Sequence, residues 1–261
     1  MERAHVVIAH VVITGASSGI GAALARTYAH PGVRLSLLGR ENARLEKIAA
    51  ECRAQGAIAD VQIGDVTDAA MMQAWLLACE QRQPVDLVIA NAGIGGEQVL
   101  AGPDGETLGA ASRIMATNVQ GVLNTVIPLL PGFIARKHGG IVIVSSLAAL
   151  IALPHAPVYS ASKAAVRIYG HGLRRLLAPH GIAVTIATPG FIDTPMSASL
   201  STPRPFLWDA DRAARHIARA AAKGRRETIF PFGLALLARL ANIFPVALLD
   251  RILIAQHRRR A

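Results

Sequence analysis

The feature that most constrains this chain is a repeated switch of hydrophobic period. Short β-branched runs of strand length alternate with amphipathic stretches of helix length through most of its 261 residues. Residues 6–13 form an apolar run that enters the turn Thr14-Gly15-Ala16-Ser17-Ser18-Gly19-Ile20-Gly21. That turn opens directly into a helix expected over residues 20–30 and stopped by Pro31-Gly32. Residues 35–38, 57–63, 85–90, 141–144 and 182–187 read as further strands, with a last one near 228–230. Residues 41–55, 68–81, 108–135 and 159–178 read as the helices between them. Strands separated by helices pair in parallel through right-handed crossovers, and this covers both faces of the sheet. The expected fold is α/β: a single doubly wound Rossmann-type domain with a parallel sheet of about seven strands. It is expected to fill residues 1–230 and to be followed by an apolar, basic helical extension over 231–261.

Composition closes off several other classes. Hydrophobic residues make up 52% of the chain and its mean hydropathy is +0.39, which excludes a disordered chain. Cys52 and Cys79 fall in amphipathic stretches, without CxxC or Cys/His spacing, so neither a disulfide framework nor a metal is expected. Two stretches without formal charge, residues 114–135 and 138–162, hold Asn118, Gln120, Asn124, Ser145, Ser146 and several prolines at what would be mid-membrane depth. They are expected to be soluble core. No export signal is visible at the amino terminus, and a cytoplasmic location is expected. The net charge of +10 is lopsided, since residues 203–261 hold 12 bases against 4 acids. This basic tail is apolar and lacks interleaved aromatics, so no nucleic-acid partner is expected.

In a doubly wound sheet, ligands sit at the carboxyl ends of the strands. After the first strand, glycines let the backbone approach a pyrophosphate while the helix amino terminus offers free N–H groups to it. After the second strand stands Gly39-Arg40, where a carboxylate would serve a ribose 2′-hydroxyl and a guanidinium would grip a 2′-phosphate. Asp65-Val66 and Asn91-Ala92-Gly93 follow the third and fourth strands and are placed to touch the adenosine half. Tyr159 and Lys163 are four residues apart at a helix start and so share a face. An ammonium there, aided by an oxidised nicotinamide, would favour the phenolate and bring a phenol of pKa about 10 into acid/base range. Ser146, thirteen residues upstream, stands past a strand end where its hydroxyl can reach the same substrate oxygen.

These motifs together resemble the short-chain dehydrogenase/reductase superfamily in its core-length form. TGASSGIG, NAG, SS, YSASK and TPGFIDTPM occur in the family's order and at its separations. The resemblance implies hydride transfer between NADP(H) and a carbonyl carbon, with no metal. It makes Tyr159 the acid/base, Ser146 the group that polarises the carbonyl, and Lys163 both the modulator of Tyr159 and a ligand of the nicotinamide ribose. Asn118 matches the asparagine that anchors a water leading to Lys163. Ser146 is preferred over Ser145 because the family spacing to the tyrosine is the one seen from Ser146. Gly15, Ser17, Ser18, Gly19, Ile20 and Gly21 match the phosphate turn. Pro189, Gly190, Ile192 and Thr194 match the segment that orients the carboxamide. Ser18 stands where many NADP-binding members carry a base, so NADP preference rests on Arg40.

Leu147, Leu153, Val158, Phe191, Met196, Leu200, Phe206, Leu207 and Trp208 flank these motifs and predict an apolar pocket, with His155 at its edge. The expected substrate is a small hydrophobic ketone or its secondary alcohol. A 3-oxoacyl-[acyl carrier protein] reductase is the second reading, weakened because Ile-Gly-Gly-Glu-Gln follows Asn91-Ala92-Gly93 in place of that group's usual Thr-Arg-Asp. A nucleotide-binding scaffold without turnover is a third. The resemblance also implies a homodimer or homotetramer, paired through the long helix with Val119, Leu123 and Ile127. Residues 231–260 are expected to form two short amphipathic helices. These either make peripheral contact with a membrane or pack on the enzyme and cap its pocket.

Overall fold

The computed structural model describes residues 8–95, 106–154, 156–200 and 203–241. Strands β1 (His10–Thr14), β2 (Arg34–Gly39), β3 (Ile58–Ile63), β4 (Leu87–Ala90), β5 (Gly140–Val144), β6 (Ala183–Pro189) and β9 (Glu227–Phe230) form one sheet in the order β3-β2-β1-β4-β5-β6-β9. Every pairing in it is parallel. The strand order reverses between β1 and β4, which opens a crevice at their carboxyl ends. This is the expected doubly wound sandwich.

Alternation along each strand divides the core in two. In β1, Val11 and Ile13 face one hydrophobic cluster and Val12 faces the other. The first cluster is closed by α1 (Gly19–Tyr28), α2 (Asn42–Ala54) and α9 (Ala210–Ala222) through residues such as Leu24, Leu45 and Ile217. Segment α4 (Leu108–Met115) leads into α5 (Gly121–Val126), and the second cluster is closed by α5, α6 (Leu130–Arg136), α3 (Ala69–Arg82) and α7 (Pro157–Leu177). Cys52 and Cys79 are buried on opposite faces of the sheet, so they are packing residues and cannot meet. Aspartates cap where the helix starts demand an acceptor: Asp68 accepts from Met71 N and Asp209 from Arg212 N.

Segments α4 to α6 run on as one 29-residue rod, Leu108–Arg136. A π turn at Ala116–Gln120 interrupts it, as does a 3-10 turn at Ile127–Leu129, where Pro128 removes an N–H donor. Among the described residues this is the one helix long and apolar enough to cross a membrane. Its Val122, Val126, Leu129 and Phe133 nevertheless lie in the second core cluster, which accounts for its apolar character.

Beyond β6 the chain makes elements that the hydrophobic pattern does not reveal. A two-residue ladder pairs β7 (Ile192–Asp193) with β8 (Trp208–Asp209), and α8 (Pro195–Ala198) is a single turn between them. Both are shorter than the window over which a period can be recognised. Helix α9 is missing from the sequence reading although its period is plain: Ala213, Ala214, Ile217 and Ala220 make a buried stripe, and the exposed Arg212, Arg215 and Arg219 stand between them at helical spacing. Helix α10 (Phe232–Ala241) is the first of the two helices expected in the extension, and the second lies outside the described residues.

Candidate active site

Pro157 begins α7 with its fixed φ, and this sets Tyr159 and Lys163 one turn apart at the top of that helix. Lys163 is 5% exposed, and its Nζ donates to the carbonyl of Val144 at 3.1 Å, at the end of β5. The same Nζ lies 5.9 Å from the centroid of the Tyr159 ring. A side-chain hydrogen bond joins Ser146 to Tyr159. Ser145 turns the other way: its Oγ is buried and donates to the carbonyl of Lys163 at 2.8 Å. The two adjacent serines thus have different work, one facing Tyr159 and the other seating the helix.

Burial governs the acid/base groups. It pushes the Lys163 ammonium down to about 8 and raises the Tyr159 phenol, with the Ser146 bond pulling the phenol partly back. The Lys163 ammonium alone does not bring the phenol down. Lys163 spends a donor on Val144 and lies alongside the Tyr159 ring, so desolvation is the larger influence on the hydroxyl.

Asn118 lies in the π turn, fully buried. Its Oδ1 accepts from Ile94 N at 2.8 Å, and its Nδ2 donates to Ile94 O and to Ser162 Oγ, both at 3.0 Å. Ser162 Oγ in turn donates to the carbonyl of Tyr159 at 2.7 Å. The Asn118 side chain is thus committed to the loop after β4 and to α7. That loop passes close by, because a Cβ at Gly95 would meet Tyr159 Cε2 at 2.7 Å.

On the other side of the crevice, Gly15 (φ +67°) and Gly19 (φ +54°) take left-handed conformations that favour glycine. A Cβ at Gly21 would stand 2.1 Å from the carbonyl oxygen of Gly15, so this third glycine lets α1 rest on the turn. Ser18 is the N-cap of α1 yet makes no side-chain cap bond, which leaves the first N–H groups open to the crevice. Thr14 and Asn91 stitch the β1 and β4 turns together. Asn91 Nδ2 donates to Thr14 O at 3.0 Å and to Gly15 O at 3.2 Å, and Thr14 Oγ1 accepts from Asn91 N at 3.2 Å. Arg40 is 65% exposed at the end of β2, with Nη1 3.7 Å from Asp65 Oδ2.

All of this surrounds one cleft of about 1100 Å³. It brings together Gly15, Ser17, Ser18, Gly19, Ile20, Arg40, Asp65, Val66, Asn91, Ala92, Gly93, Ser146, Tyr159, Lys163, Pro189, Gly190, Ile192 and Thr194. Gly21 and Asn118 stand behind its wall as supports. Thr14, Ser145 and Ser162 do supporting work from within the motifs TGASSGIG, SS and YSASK, a role that the sequence analysis does not assign to them.

The apolar end of the cleft is lined by Leu147, Leu153, Phe191, Met196 and Leu200, as expected, and also by Ile151, Pro154, Pro203, Pro205 and Leu234. Val158, Phe206, Leu207 and Trp208 do not line it. Trp208 instead stacks on Phe230 at 5.2 Å, meets His216 edge-on at 5.5 Å and carries the Arg212 guanidinium 4.0 Å above its ring. Phe206 and Leu207 are exposed. His155 lies outside the described residues. Leu234 belongs to α10, so the described start of the extension lines part of the cleft.

The model of the short chain dehydrogenase family matches residues 9–205. An uncharacterized oxidoreductase of Myxococcus xanthus is 36% identical over 92% of this chain and 94% of its own length. The structure of a short-chain dehydrogenase from Sphingobium yanoikuyae in complex with NADPH superposes with a TM-score of 0.77 and 27% identity, covering 90% of this chain and 92% of that one. A 3-ketoacyl-ACP reductase from Sinorhizobium meliloti gives a TM-score of 0.76 and 27% identity, over 87% of this chain and 99% of that one. With a family match over most of its length and a relative of similar extent, the chain belongs to the short chain dehydrogenase family.

Proposed function

We propose that the protein is an NADP(H)-dependent oxidoreductase that interconverts a hydrophobic ketone and its secondary alcohol. The observation that carries this reading is the position of Ser146, Tyr159 and Lys163 on one wall of the cleft, between a glycine-built turn and an uncharged apolar end. The first part of the cleft fits a dinucleotide. The turn is too close-packed for side chains, since a Cβ at Gly15 would meet Ala92 Cα at 2.8 Å, and the first turn of α1 offers it open N–H groups. Gly15, Ser17, Ser18, Gly19 and Ile20 would hold the pyrophosphate, with Gly21 behind them, and Arg40 would hold the 2′-phosphate. Asp65, Val66, Asn91, Ala92 and Gly93 would face the adenosine. Lys163 and Tyr159 would hold the nicotinamide ribose, and Pro189, Gly190, Ile192 and Thr194 the carboxamide. The likeness to the NADPH-bound Sphingobium dehydrogenase supports the choice of cofactor.

When bound, the cofactor supplies the hydride. The protein supplies the rest. Ser146 orients the carbonyl oxygen toward Tyr159, whose raised pKa keeps the phenol protonated, so it gives its proton to the alkoxide oxygen as the alcohol forms. The apolar walls exclude water from the reacting carbon and bind an uncharged ketone body. NADPH oxidation across ketones graded by ring count and chain length tests this reading. Turnover should rise with apolar bulk and favour NADPH over NADH. No oxidation with any ketone, or a preference for NADH, would refute it.

The likeness to a 3-ketoacyl-ACP reductase supports a second reading, in which the substrate is a 3-oxoacyl thioester. Higher kcat/KM for such a thioester than for every free ketone would select it. A dimer is also proposed, because Ile127 on the rod and Ile168 and Leu176 on α7 are at least half exposed. A monomeric mass by light scattering would remove it. Contact of the extension with a lipid surface is a separate proposal, supported by the exposed Phe232 and Leu236 on α10. Failure to float with anionic vesicles at low salt would end it.

A further inference from the structure

Helix α7 carries Tyr159 and Lys163, yet its own residues leave its first turn without a cap. The N-cap residue Ala156 has no side-chain acceptor, and Pro157 has no N–H, so Val158 presents the first donor, one residue before Tyr159. The acceptor comes from elsewhere in the fold. Glu106 places Oε1 2.9 Å and Oε2 3.1 Å from Val158 N, across 52 residues of sequence. Its neighbour Thr107 caps α4, accepting from Ala110 N at 3.2 Å. Two adjacent residues therefore close the amino termini of the rod that holds Asn118 and of the helix that holds Tyr159 and Lys163. Deeper in the molecule the same two elements meet again through Asn118 Nδ2 and Ser162 Oγ. A carboxylate is also the favourable charge at the positive end of this 21-residue helix.

We propose that Glu106 is a positioning residue for the reaction: it fixes the first turn of α7 against the rod and so sets where the Tyr159 hydroxyl stands relative to Ser146. Glu106 does not line the cleft, and its effect runs through Val158. The proposal rests on the catalytic reading of Tyr159 given above. It is tested on the full-length protein with Glu106→Ala and Glu106→Gln, measuring steady-state kinetics, the NADPH dissociation constant and amide hydrogen exchange over residues 158–163.

Glu106→Ala should lower kcat roughly tenfold, since a displacement of about 1 Å can cost on the order of 100-fold. KM for the ketone and the dissociation constant for NADPH should stay near their original values. Glu106→Gln keeps an oxygen acceptor for Val158 and should recover most of the lost kcat. Exchange should quicken at the start of α7 in the alanine variant alone. Unchanged kcat in Glu106→Ala would overturn the proposal. So would a glutamine variant as impaired as the alanine one, or a loss of NADPH binding in step with kcat. If the wild-type enzyme turns over no ketone, the catalytic reading fails, and exchange still decides the clamp: unchanged protection in Glu106→Ala removes it whatever the activity.

Discussion

The two ends of the cleft are made of different material. The nucleotide end is built largely from turns after β1, β2, β3 and β4; Thr14 and Asn91 tie the β1 and β4 turns together, and Gly15, Gly19 and Gly21 keep the first turn free of side chains. The apolar end is built from side chains on the segments after β5, β6 and β9. A Cβ at Gly190, for instance, would fall 2.9 Å from Leu147 and 3.0 Å from Leu234. A backbone-built wall has one workable shape, whereas a side-chain wall changes shape with each substitution. The first can stay constant while the second is altered to suit a different substrate, and Tyr159, Ser146 and Lys163 stand at the seam between them.

The seam should show the largest effect. Tyr159→Phe removes the proton donor and is expected to lower turnover by about 10² to 10⁴ while NADPH binds as before. A variant that kept most of its rate would mean that the proton comes from another group. Next in size is the stability cost of burying Lys163. Its ammonium titrates near 8 in the folded protein and near 10.5 when unfolded, so between these values the unfolded chain binds a proton that the folded one does not. Stability should therefore rise as pH climbs through that window, by on the order of 3 kcal/mol. Denaturant unfolding of the wild type and of Lys163→Met at both ends of the window measures it, and an equal rise in the variant would assign the effect elsewhere.

The two ends of the cleft should then separate. Arg40→Ala should raise KM for NADPH by roughly tenfold, the worth of a charge-assisted hydrogen bond, with KM for NADH nearly unchanged. Equal losses with both cofactors would mean that Arg40 does not read the 2′-phosphate. The smallest expected effect is at the apolar end. Leu234→Ala should change kcat/KM for the bulkiest ketone by about fivefold and leave the NADPH constants alone, because a few methylenes in a partly open pocket discriminate only weakly. A shift in the NADPH constants would break the division between the two ends.

Much of the nucleotide end is legible in the amino-acid sequence. Its residues lie in short consecutive runs at strand ends, and a glycine turn or a Tyr-x-x-x-Lys pair owes its geometry to neighbours a few positions away. The apolar end is less legible. Trp208 and Val158 are expected in the pocket but pack or bond elsewhere, while Leu234, Pro203 and Pro205 line it without any motif. Whether an apolar residue faces a cavity or the core depends on which segments fold back across the sheet. Residues 203–241 do so in part through a two-residue ladder that is too short to leave a periodic trace.

The sequence by itself determined the α/β alternation, the parallel sheet and the local constellations around Gly15, Asn91, Ser146 and Tyr159, because these rest on contacts within a turn or a strand end. Only the tertiary structure decided that Ser145 bonds to the Lys163 carbonyl, that burial raises the phenol, and that Asn118 reaches α7 through Ser162. It also decided that Glu106 closes a helix 52 residues away. These are contacts between distant segments, and their energies depend on desolvation and on packing distances of a few ångströms. No pattern of neighbouring residues encodes either one.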